Sequence, residues 1–438
     1  MAKAIPTRRD RPRIFYGWWI VLGGLVGMVL SVGFNHHGLN AFTLPLADSF
    51  GVSLATVVGA LSLARFETAF IGPIEGFLVD RFGPRRMMFI GVPLMGAGFL
   101  AASVAPNFPL FLACFFLGTV LGSSLGFGNP ISTAVANWWR RKRGRAFGVL
   151  WIGTSVASII VPVVNWLIET LGWRSAFRVI GLLVLAFGLP IAALMRHRPE
   201  QYGMLPDGDD PATASPPVAA AAEGASQGMA AEEPNFTVWE SLRTTTFWFF
   251  AISVSVRSAV TSAMGANAFP LVVEELHGTA AQAGFLFLVQ GVCSAPGRVF
   301  LSWIGDSVSK QKIMAASLAV MALSLALMAF ATTVTQLTLL WVPYSIVWGG
   351  LSSLPQSLRA DLFGRRNYAT IQGAMSPLSS IINLILPFFG AIVFVRYGTY
   401  QVPLLVFAGL CFLSLWLILL ARPPKRKANQ PASVQVAS

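Results

Sequence analysis

The chain has 438 residues, of which 55% are hydrophobic and 11% are charged, and its formal net charge is +13. Soluble domains carry about 25% charged residues, so this composition excludes a protein that hides its apolar surface in a water-soluble core. The basic excess does not indicate a nucleic-acid partner, because most Lys and Arg residues lie in segments between long apolar stretches. The three cysteines lie inside those stretches and lack metal-ligand spacing, which predicts neither a disulfide framework nor a metal site.

The apolar stretches follow one another along almost the whole chain. Each is long enough for a helix that crosses a bilayer, which needs about 20 residues. Their apolar character is continuous rather than alternating, which favours helices over a membrane barrel. We therefore predict an all-α membrane protein with twelve transmembrane helices. The predicted spans are 16–46, 53–79, 87–105, 109–138, 146–168, 176–195, 246–270, 282–305, 313–332, 337–360, 370–394 and 400–421.

The composition changes sharply between Arg196 and Trp239, where an Ala-, Pro-, Ser- and Glu-rich stretch predicts a linker. Landmarks also repeat across the linker, because Asp306 follows Asp80 by 226 residues and Arg365 follows Arg140 by 225. This repetition favours two pseudo-symmetric six-helix bundles over a chance spacing of basic loops. The predicted boundaries are a cytoplasmic N-terminal tail at 1–15, a first bundle at 16–195, a cytoplasmic linker at 196–245, a second bundle at 246–421 and a cytoplasmic tail at 422–438.

The distribution of basic residues predicts the orientation in the membrane. If both termini are cytoplasmic, most Lys and Arg residues lie in cytoplasmic segments, as the positive-inside rule requires. We therefore expect an integral multi-pass protein of the plasma membrane (the bacterial inner membrane), with the lipid bilayer as its surroundings.

Segment 76–86 reads GFLVDRFGPRR and resembles the loop signature of the major facilitator superfamily. In that family the acidic residue and the arginines form a charge relay at the cytoplasmic helix ends. Asp80 can pair with basic groups or with a helix N-terminus, and Gly76 allows close helix approach. The resemblance implies gating roles for Gly76, Asp80, Arg81, Gly83, Arg85 and Arg86.

Four charged residues stand out within the predicted spans, where a charge costs about 2.5–3.5 kcal/mol. Arg298 and Arg257 lie roughly 12 and 16 Å deep, counted at about 1.5 Å per helical residue. Arg65 and Glu67 share the second span, and Glu75 lies close to its inner end, so arginines outnumber the one clearly intramembrane carboxylate, Glu67. A bound carboxylate, which fits the guanidinium fork, would balance the charge. Alternatively, one arginine pairs with Glu67 and another caps backbone carbonyls.

Three further segments, 16–19 (YGWW), 136–141 (ANWWRR) and 361–366 (DLFGRR), are similar to the monocarboxylate transporter and oxalate/formate antiporter branch. That resemblance implies that Arg298 contacts the substrate carboxylate. Ser294 stands where animal-type monocarboxylate transporters have an aspartate, and Asn40 lies near the position of their lysine, so their proton-coupling pair is missing. The antiporter's helix-eleven lysine has no counterpart between residues 368 and 394, which disfavours oxalate.

Two kinds of group are candidates for proton coupling. Burial would raise the pKa of the Glu67 carboxyl and a nearby arginine would lower it; a static salt bridge is the alternative role. His36 and His37 titrate near neutral pH, and adjacent helical residues diverge, so at least one should face the cavity. The alternative is a polar outer mouth.

Other polar side chains near mid-depth complete the predicted site. Asn129 and Tyr344 can orient a carboxylate or bridge helices. We predict substrate contacts from Arg298, Arg257, His36, His37, Asn40, Asn129 and Tyr344, and proton coupling through Glu67 or His37.

The sequence thus predicts a secondary transporter that moves a small organic anion, a monocarboxylate, by alternating access. No G-x-x-x-x-G-K-[ST] loop is present, so we expect no cofactor, with a proton gradient as the driving force. We expect a functional monomer that is not an enzyme. The alternatives are an anion antiporter or a metabolite or drug exporter on the same fold, and, more remotely, a non-transporting membrane sensor.

Overall fold

The computed structural model describes residues 14–64, 67–209 and 235–424, without the side chains of residues 55, 62–64, 67 and 68. Within these ranges, eleven helices are long and apolar enough to cross a membrane. The remaining predicted span corresponds to two helices, Leu54–Ala64 and Glu67–Phe82, on either side of residues that the structure does not describe. We number the spans in chain order. They are α1 (Gly17–Phe50), α2 (Leu54–Ala64 with Glu67–Phe82), α3 (Pro84–Ser103), α4 (Phe108–Trp138), α5 (Arg143–Leu171), α6 (Trp173–Leu194), α7 (Thr245–Glu275), α8 (Ala280–Ile304), α9 (Lys310–Met328), α10 (Val334–Phe363), α11 (Tyr368–Tyr397) and α12 (Gln401–Leu420).

Local sequence signals explain where several helices begin. Thr279 begins α8 with a capping box, in which its hydroxyl accepts from the Gln282 N–H and the Gln282 side chain accepts from the Thr279 N–H. Thr244 caps α7 through the Phe247 N–H at 3.2 Å. α3 begins at Pro84 directly after Gly83, whose φ of +84° is favourable for glycine.

Three helices of the first half depart from regular α-helical geometry, and α5 does so only in a short 3₁₀ turn over Ala157–Ile159. α1 widens into a π turn over Gly33–His37 and tightens into a 3₁₀ turn over Gly38–Phe42. α4 contains π turns over Phe115–Val120 and Ser124–Gly128. Such turns interrupt the regular hydrogen-bond ladder and are frequent at functional sites.

Buried apolar side chains form two main clusters. One lies within α1–α6, with Ala360 and Tyr368 added from the second half, and the other lies within α7–α12. Close helix contacts support the first cluster: a Cβ on Gly98 of α3 would lie 2.3 Å from the Thr119 nitrogen of α4, and one on Gly122 would lie 2.3 Å from the Met95 nitrogen. The small residues of α4 therefore serve helix packing.

The two halves meet backbone to backbone along two helix pairs. In the first pair, which we call the α2–α11 seam, a Cβ on Gly76 would lie 2.2 Å from the Ala369 oxygen, and one on Gly373 would lie 2.1 Å from the Gly72 oxygen. Only glycine fits at this spacing.

The second pair, the α5–α8 seam, brings α5 of the first half against α8 of the second. A Cβ on Gly144 would lie 2.1 Å from the Ser302 oxygen, and one on Gly148 would lie 3.0 Å from the Arg298 oxygen. Both seams lie near the end of the molecule that carries the arginine-rich loops α2–α3, α4–α5 and α10–α11. We call this end the basic face.

The halves separate toward the opposite face. In α8, buried residues concentrate toward the basic face, at Ser294, Gly297, Arg298 and Ser302. In α11, residues 368–375 are mostly buried, whereas Gly390 is the one buried residue of 376–397. The structure is therefore closed at the basic face and open at the opposite face.

The close glycine contacts of the α2–α11 seam provide a test of this closure. We expect Gly76→Ala to lower the free energy of unfolding by about 1–3 kcal/mol, the usual cost of overpacking, because its methyl group would overlap the Ala369 carbonyl. Gly291→Ala in α8 is the matched control, since a Cβ there would meet no atom within 4 Å. Thermal unfolding in detergent measures both variants. Equal midpoints for the two variants would contradict the seam.

Candidate functional site

A polar cavity of about 220 Å³ lies between the first half and α11 of the second half. α1 and α4 supply most of its wall, and α2, α5 and α11 complete it. Hydroxyl and amide groups dominate the polar lining, together with one carboxylate and one imidazole. These polar residues are Ser31, His36, Glu75, Ser123, Ser124, Asn129, Ser132, Gln372 and Ser376, with Trp151 from α5.

The π turns position two of the predicted residues in this wall. His36 belongs to the π turn of α1, and Asn129 directly follows the second π turn of α4. A hydrogen bond of 2.8 Å between the Ser31 and Ser123 hydroxyls joins the two helices beside them. His37 and Asn40 are exposed and do not line the cavity. The structure therefore brings His36 and Asn129 together and leaves His37 and Asn40 outside.

Arg298 lies beside this cavity rather than in its wall. The side chain is 2% exposed, and its Nε donates to the Ser352 hydroxyl of α10 at 3.1 Å. Its Nη1 donates to the Ser155 hydroxyl of α5, one helical turn from the cavity-lining Trp151. The guanidinium also lies 5.0 Å from the ring centre of Trp348. In the part of the chain that the structure describes, no carboxylate pairs with Arg298.

Arg257 of α7 lies in a second apolar setting, with Tyr344 of α10 and Cys411 of α12 as its electrostatic neighbours. Its Nε is buried and makes no hydrogen bond, and the fully buried hydroxyl of Tyr344 makes none either. Neither residue lines the cavity. Both side chains can donate, so the pair offers hydrogen bonds to an acceptor that the described residues do not supply.

The acidic residue in the cavity is one that sequence reasoning set aside. Arg65 and the side chain of Glu67 lie outside the described residues, so their predicted roles stay predictions. Glu75, only 2% exposed, lines the cavity from α2. A depth estimate of about 1.5 Å per helical residue places Glu75 near the basic face. The sequence feature that could have identified it is the pair of glycines on either side of it, Gly72 and Gly76, which bring α2 against α11.

Asp80 fastens the α2–α11 seam. Its carboxylate accepts hydrogen bonds from the N–H groups of Ala369 (3.2 Å) and Thr370 (2.7 Å) and from the Thr370 hydroxyl (2.6 Å). These groups lie in the first turn of α11, where backbone N–H groups lack helical partners and the helix dipole favours negative charge. Of the two partners that the sequence allowed for Asp80, the structure shows the helix N-terminus.

Asp306 repeats the arrangement in the α5–α8 seam. Its carboxylate accepts from the N–H groups of Gly144 (2.7 Å) and Arg145 (3.0 Å), in the first turn of α5. Burial raises the pKa of Asp306, although these hydrogen bonds act in the opposite direction. Each half thus places a carboxylate on a helix N-terminus of the other half. The two carboxylates, Asp80 and Asp306, are the landmarks that repeat 226 residues apart in the sequence.

The predicted charge relay is not assembled around Asp80 in this conformation. Arg81, Arg85 and Arg86 are exposed, and no described carboxylate forms an ion pair with them. Arg81 lies 5.8 Å from the ring centre of Phe77 instead. Gly83 provides the turn into α3.

An ion-pair network that the sequence did not reveal crosses the basic face. The Asp361 carboxylate of α10 pairs with Arg143 of the first half at 3.0 Å and with Lys310 at 2.5 Å. Arg365 pairs with Glu200, which follows the first bundle, at 2.5 Å. The pairs made by Arg143 and by Glu200 link the halves where the seams already hold them, whereas the Lys310 pair lies within the second half. Among the described residues, no cluster of three or more His, Cys, Asp or Glu side chains could hold a metal ion.

Comparison with known proteins identifies this arrangement of two helical halves around a polar cavity. The family model of the Major Facilitator Superfamily matches residues 25–266 and 256–437. The chain belongs to this superfamily. It is therefore a secondary transporter of small solutes and an integral multi-pass membrane protein, and it is not an enzyme.

Individual relatives agree with this assignment. The chain is 24% identical to the oxalate:formate antiporter of Oxalobacter formigenes over 378 residues, which cover 82% of each protein. It is 27% identical to monocarboxylate transporter 1 of Homo sapiens over 175 residues, which cover 39% of this chain and 34% of that protein. The family resemblance drawn from the motifs is thus confirmed.

Solved structures show the same fold. The superfamily transporter FucP in its outward conformation matches with a TM-score of 0.71 at 16% identity, covering 93% of this chain and 99% of that one. The human organic anion transporter MFSD10 matches with a TM-score of 0.66 at 14% identity, covering 93% and 100%. At these identities the likeness establishes the fold alone, which confirms the predicted all-helical architecture.

The capping carboxylates yield a test of how the basic face stays closed. A charge at a helix N-terminus contributes about 0.3–2 kcal/mol, so we expect Asp306→Asn to open the α5–α8 seam more often. A cysteine at the fully buried Ser302 position, in a chain whose native cysteines are replaced by Ala, should then react faster with a maleimide. Asp48→Asn, at an exposed carboxylate far from the seam, is the control. An unchanged labelling rate in Asp306→Asn would refute this role.

Proposed function

We propose that this secondary transporter carries a small organic anion, a monocarboxylate, by alternating access. The observation that carries the proposal is the environment of Arg298, which is buried at the contact of the two halves with two hydroxyl partners and no carboxylate among the described residues. Hydroxyl groups satisfy N–H donors but do not neutralise a charge, and a buried charge is stable only when it is paired. An anion supplies the missing partner.

The geometry around Arg298 also suggests how binding would affect the halves. Its Nη1 donates to Ser155, which belongs to the opposite half. A carboxylate that accepts two parallel hydrogen bonds from the guanidinium would compete with this hydroxyl. Binding would therefore weaken one contact between α5 and α8, which is the kind of differential contact that a ligand needs to shift a conformational equilibrium.

Arg257 and Tyr344 support the proposal from the second half. Their buried donor groups have no acceptor among the described residues, so we propose that they meet an oxygen of the anion at another stage of the cycle. His36 and Asn129 would contact it in the cavity. For His37 and Asn40, which are exposed, we propose contact at the mouth through which the anion enters.

The activities of similar proteins agree with an anionic substrate. They include an oxalate:formate antiporter, a monocarboxylate transporter and an organic anion transporter. The Arg298 guanidinium offers one fork for a planar carboxylate, which favours a substrate with one such group. The relative that is an antiporter, together with the 29% identity over 190 residues to the fujikurins efflux protein of Gibberella fujikuroi, keeps exchange or export as the alternative mode.

We further propose the orientation and the energy source. The basic face, with both termini, lies in the cytoplasm of a plasma membrane (the bacterial inner membrane), and the chain acts as a monomer driven by the proton gradient. The structure would then represent the state open to the outside. Glu67 and His37 are the proton-carrying candidates that the sequence offers.

Transport in proteoliposomes tests the substrate. We expect uptake of a labelled monocarboxylate, from a panel of formate, acetate, lactate and pyruvate, under an inward proton gradient. Arg298→Gln should weaken the apparent affinity about 10- to 100-fold, the equivalent of losing a hydrogen bond to a charged group worth about 1.5–3 kcal/mol. Arg298→Lys should restore it only partly, because an ammonium lacks the bidentate fork.

The control is Arg178→Gln, which removes an exposed guanidinium from α6 and should leave transport unchanged. If wild-type protein takes up none of the four anions, or if Arg298→Gln transports as well as wild type, the carboxylate assignment is wrong. Efflux that exceeds uptake with the gradient reversed would favour the exporter.

A further inference from the structure

We propose that Glu75 of α2 is the proton-carrying group of this transporter, an inference that rests on the proposed proton-coupled anion transport. Glu75 combines two properties that a coupling carboxylate needs. It lines the cavity that is reached from the open face, and only 2% of its surface is exposed. It is therefore within reach of protons from one side while packed in the contact between the halves.

The neighbours of Glu75 along α2 place it in the α2–α11 seam. Gly72 precedes it by three residues and Gly76 follows it directly, and both oppose α11: a Cβ on Gly72 would lie 2.8 Å from the Ser376 hydroxyl, and one on Gly76 would lie 2.2 Å from the Ala369 oxygen. The carboxyl group thus lies beside the closest approach of the two halves. When this seam opens toward the basic face, Glu75 becomes accessible from that face.

Most of the groups that line the cavity with Glu75 are neutral. His36 of α1 lines the same cavity, α4 contributes Asn129 and hydroxyl groups, and α5 contributes Trp151. From α11 come the neutral Gln372 and Ser376. Behind them, Arg359 of α10 donates to the Gln372 amide oxygen. On α2 itself, Asp80 lies closer to the basic face and binds the α11 N-terminus.

Charge balance explains how Glu75 would couple the proton to the anion. Binding of an anion adds one negative charge to the site, and protonation of Glu75 removes one. Loading the anion together with a proton therefore leaves the net charge of the site unchanged. An anion bound while Glu75 stays ionised would bring two negative groups into one site of low dielectric, which disfavours closure around it.

The proton balance of the cycle is simple. In the state open at the opposite face, the Glu75 carboxylate takes one proton from cavity water as the anion binds. After the halves rock and the α2–α11 seam separates, the carboxyl group gives that proton to water at the basic face, and the anion leaves. One proton and one anion cross together, and no other reactant is required.

The test separates coupling from binding, because Gln resembles a permanently protonated Glu. With the full chain in proteoliposomes, we expect Glu75→Gln to lose proton-driven accumulation of a labelled monocarboxylate and the accompanying acidification reported by a pH dye. Exchange of labelled for unlabelled anion, with equal pH on both sides, should continue near the wild-type rate. Glu169→Gln, at an exposed carboxyl group of α5, should retain both activities.

Every other outcome contradicts either the proton-carrying role of Glu75 or the proposed transport function on which that role depends. Proton-driven accumulation retained by Glu75→Gln overturns the role of Glu75. Loss of both accumulation and exchange, in a variant that melts like wild type, assigns Glu75 to anion binding and also overturns it. If Glu75→Gln does not fold, Glu75→Asp must shift the pH midpoint of uptake, and an unshifted midpoint overturns the role. Absence of transport by wild type refutes the proposed function instead.

Discussion

The closed basic face depends on carboxylates that bind helix N-termini across the boundary between the halves. Asp80 and Asp306 each accept two backbone N–H groups from the first turn of a helix that belongs to the other half. Glycines bring the helix backbones into contact beside them, at Gly76 and Gly144. Close packing and charge–dipole attraction therefore act at the same positions, and both are lost together when a seam opens.

The same two seams contain the groups on which transport is proposed to depend. Arg298 lies in the α5–α8 seam and reaches Ser155 of the opposite half, whereas Glu75 lies beside the α2–α11 seam. A charge in such a position is solvated differently when the halves are together and when they are apart. Binding of an anion or a proton therefore has an energetic consequence for the equilibrium between conformations. No separate transmission pathway is needed between site and gate.

Hydrophobic pattern and charge distribution were sufficient to predict the helical membrane fold, because a bilayer restricts the options so strongly. The exceptional cost of charge at depth also identified Arg298. The contacts of that arginine were beyond prediction, since Ser155 and Ser352 reach it only through packing of three helices. Glu75 was set aside because depth was counted along a regular helix, without knowledge of where α11 would cover α2. The ion pairs of Asp361 likewise depend on which loops meet at the basic face.

Irregular helix geometry concentrates in the half that supplies most of the cavity wall. The π turns of α1 and α4 place His36 and Asn129 at the cavity, and each turn removes the regular hydrogen-bond pattern that would stiffen its helix. The arginines come from α7 and α8 of the other half, and α8 contains Pro296 two residues before Arg298. Arg298 lies beside the polar wall, whose backbone can adjust at its π turns. For a carboxylate, the guanidinium would supply charge complementarity while α1 and α4 would supply hydrogen bonds, so differences among substrates of this class should depend mainly on contacts with α1 and α4.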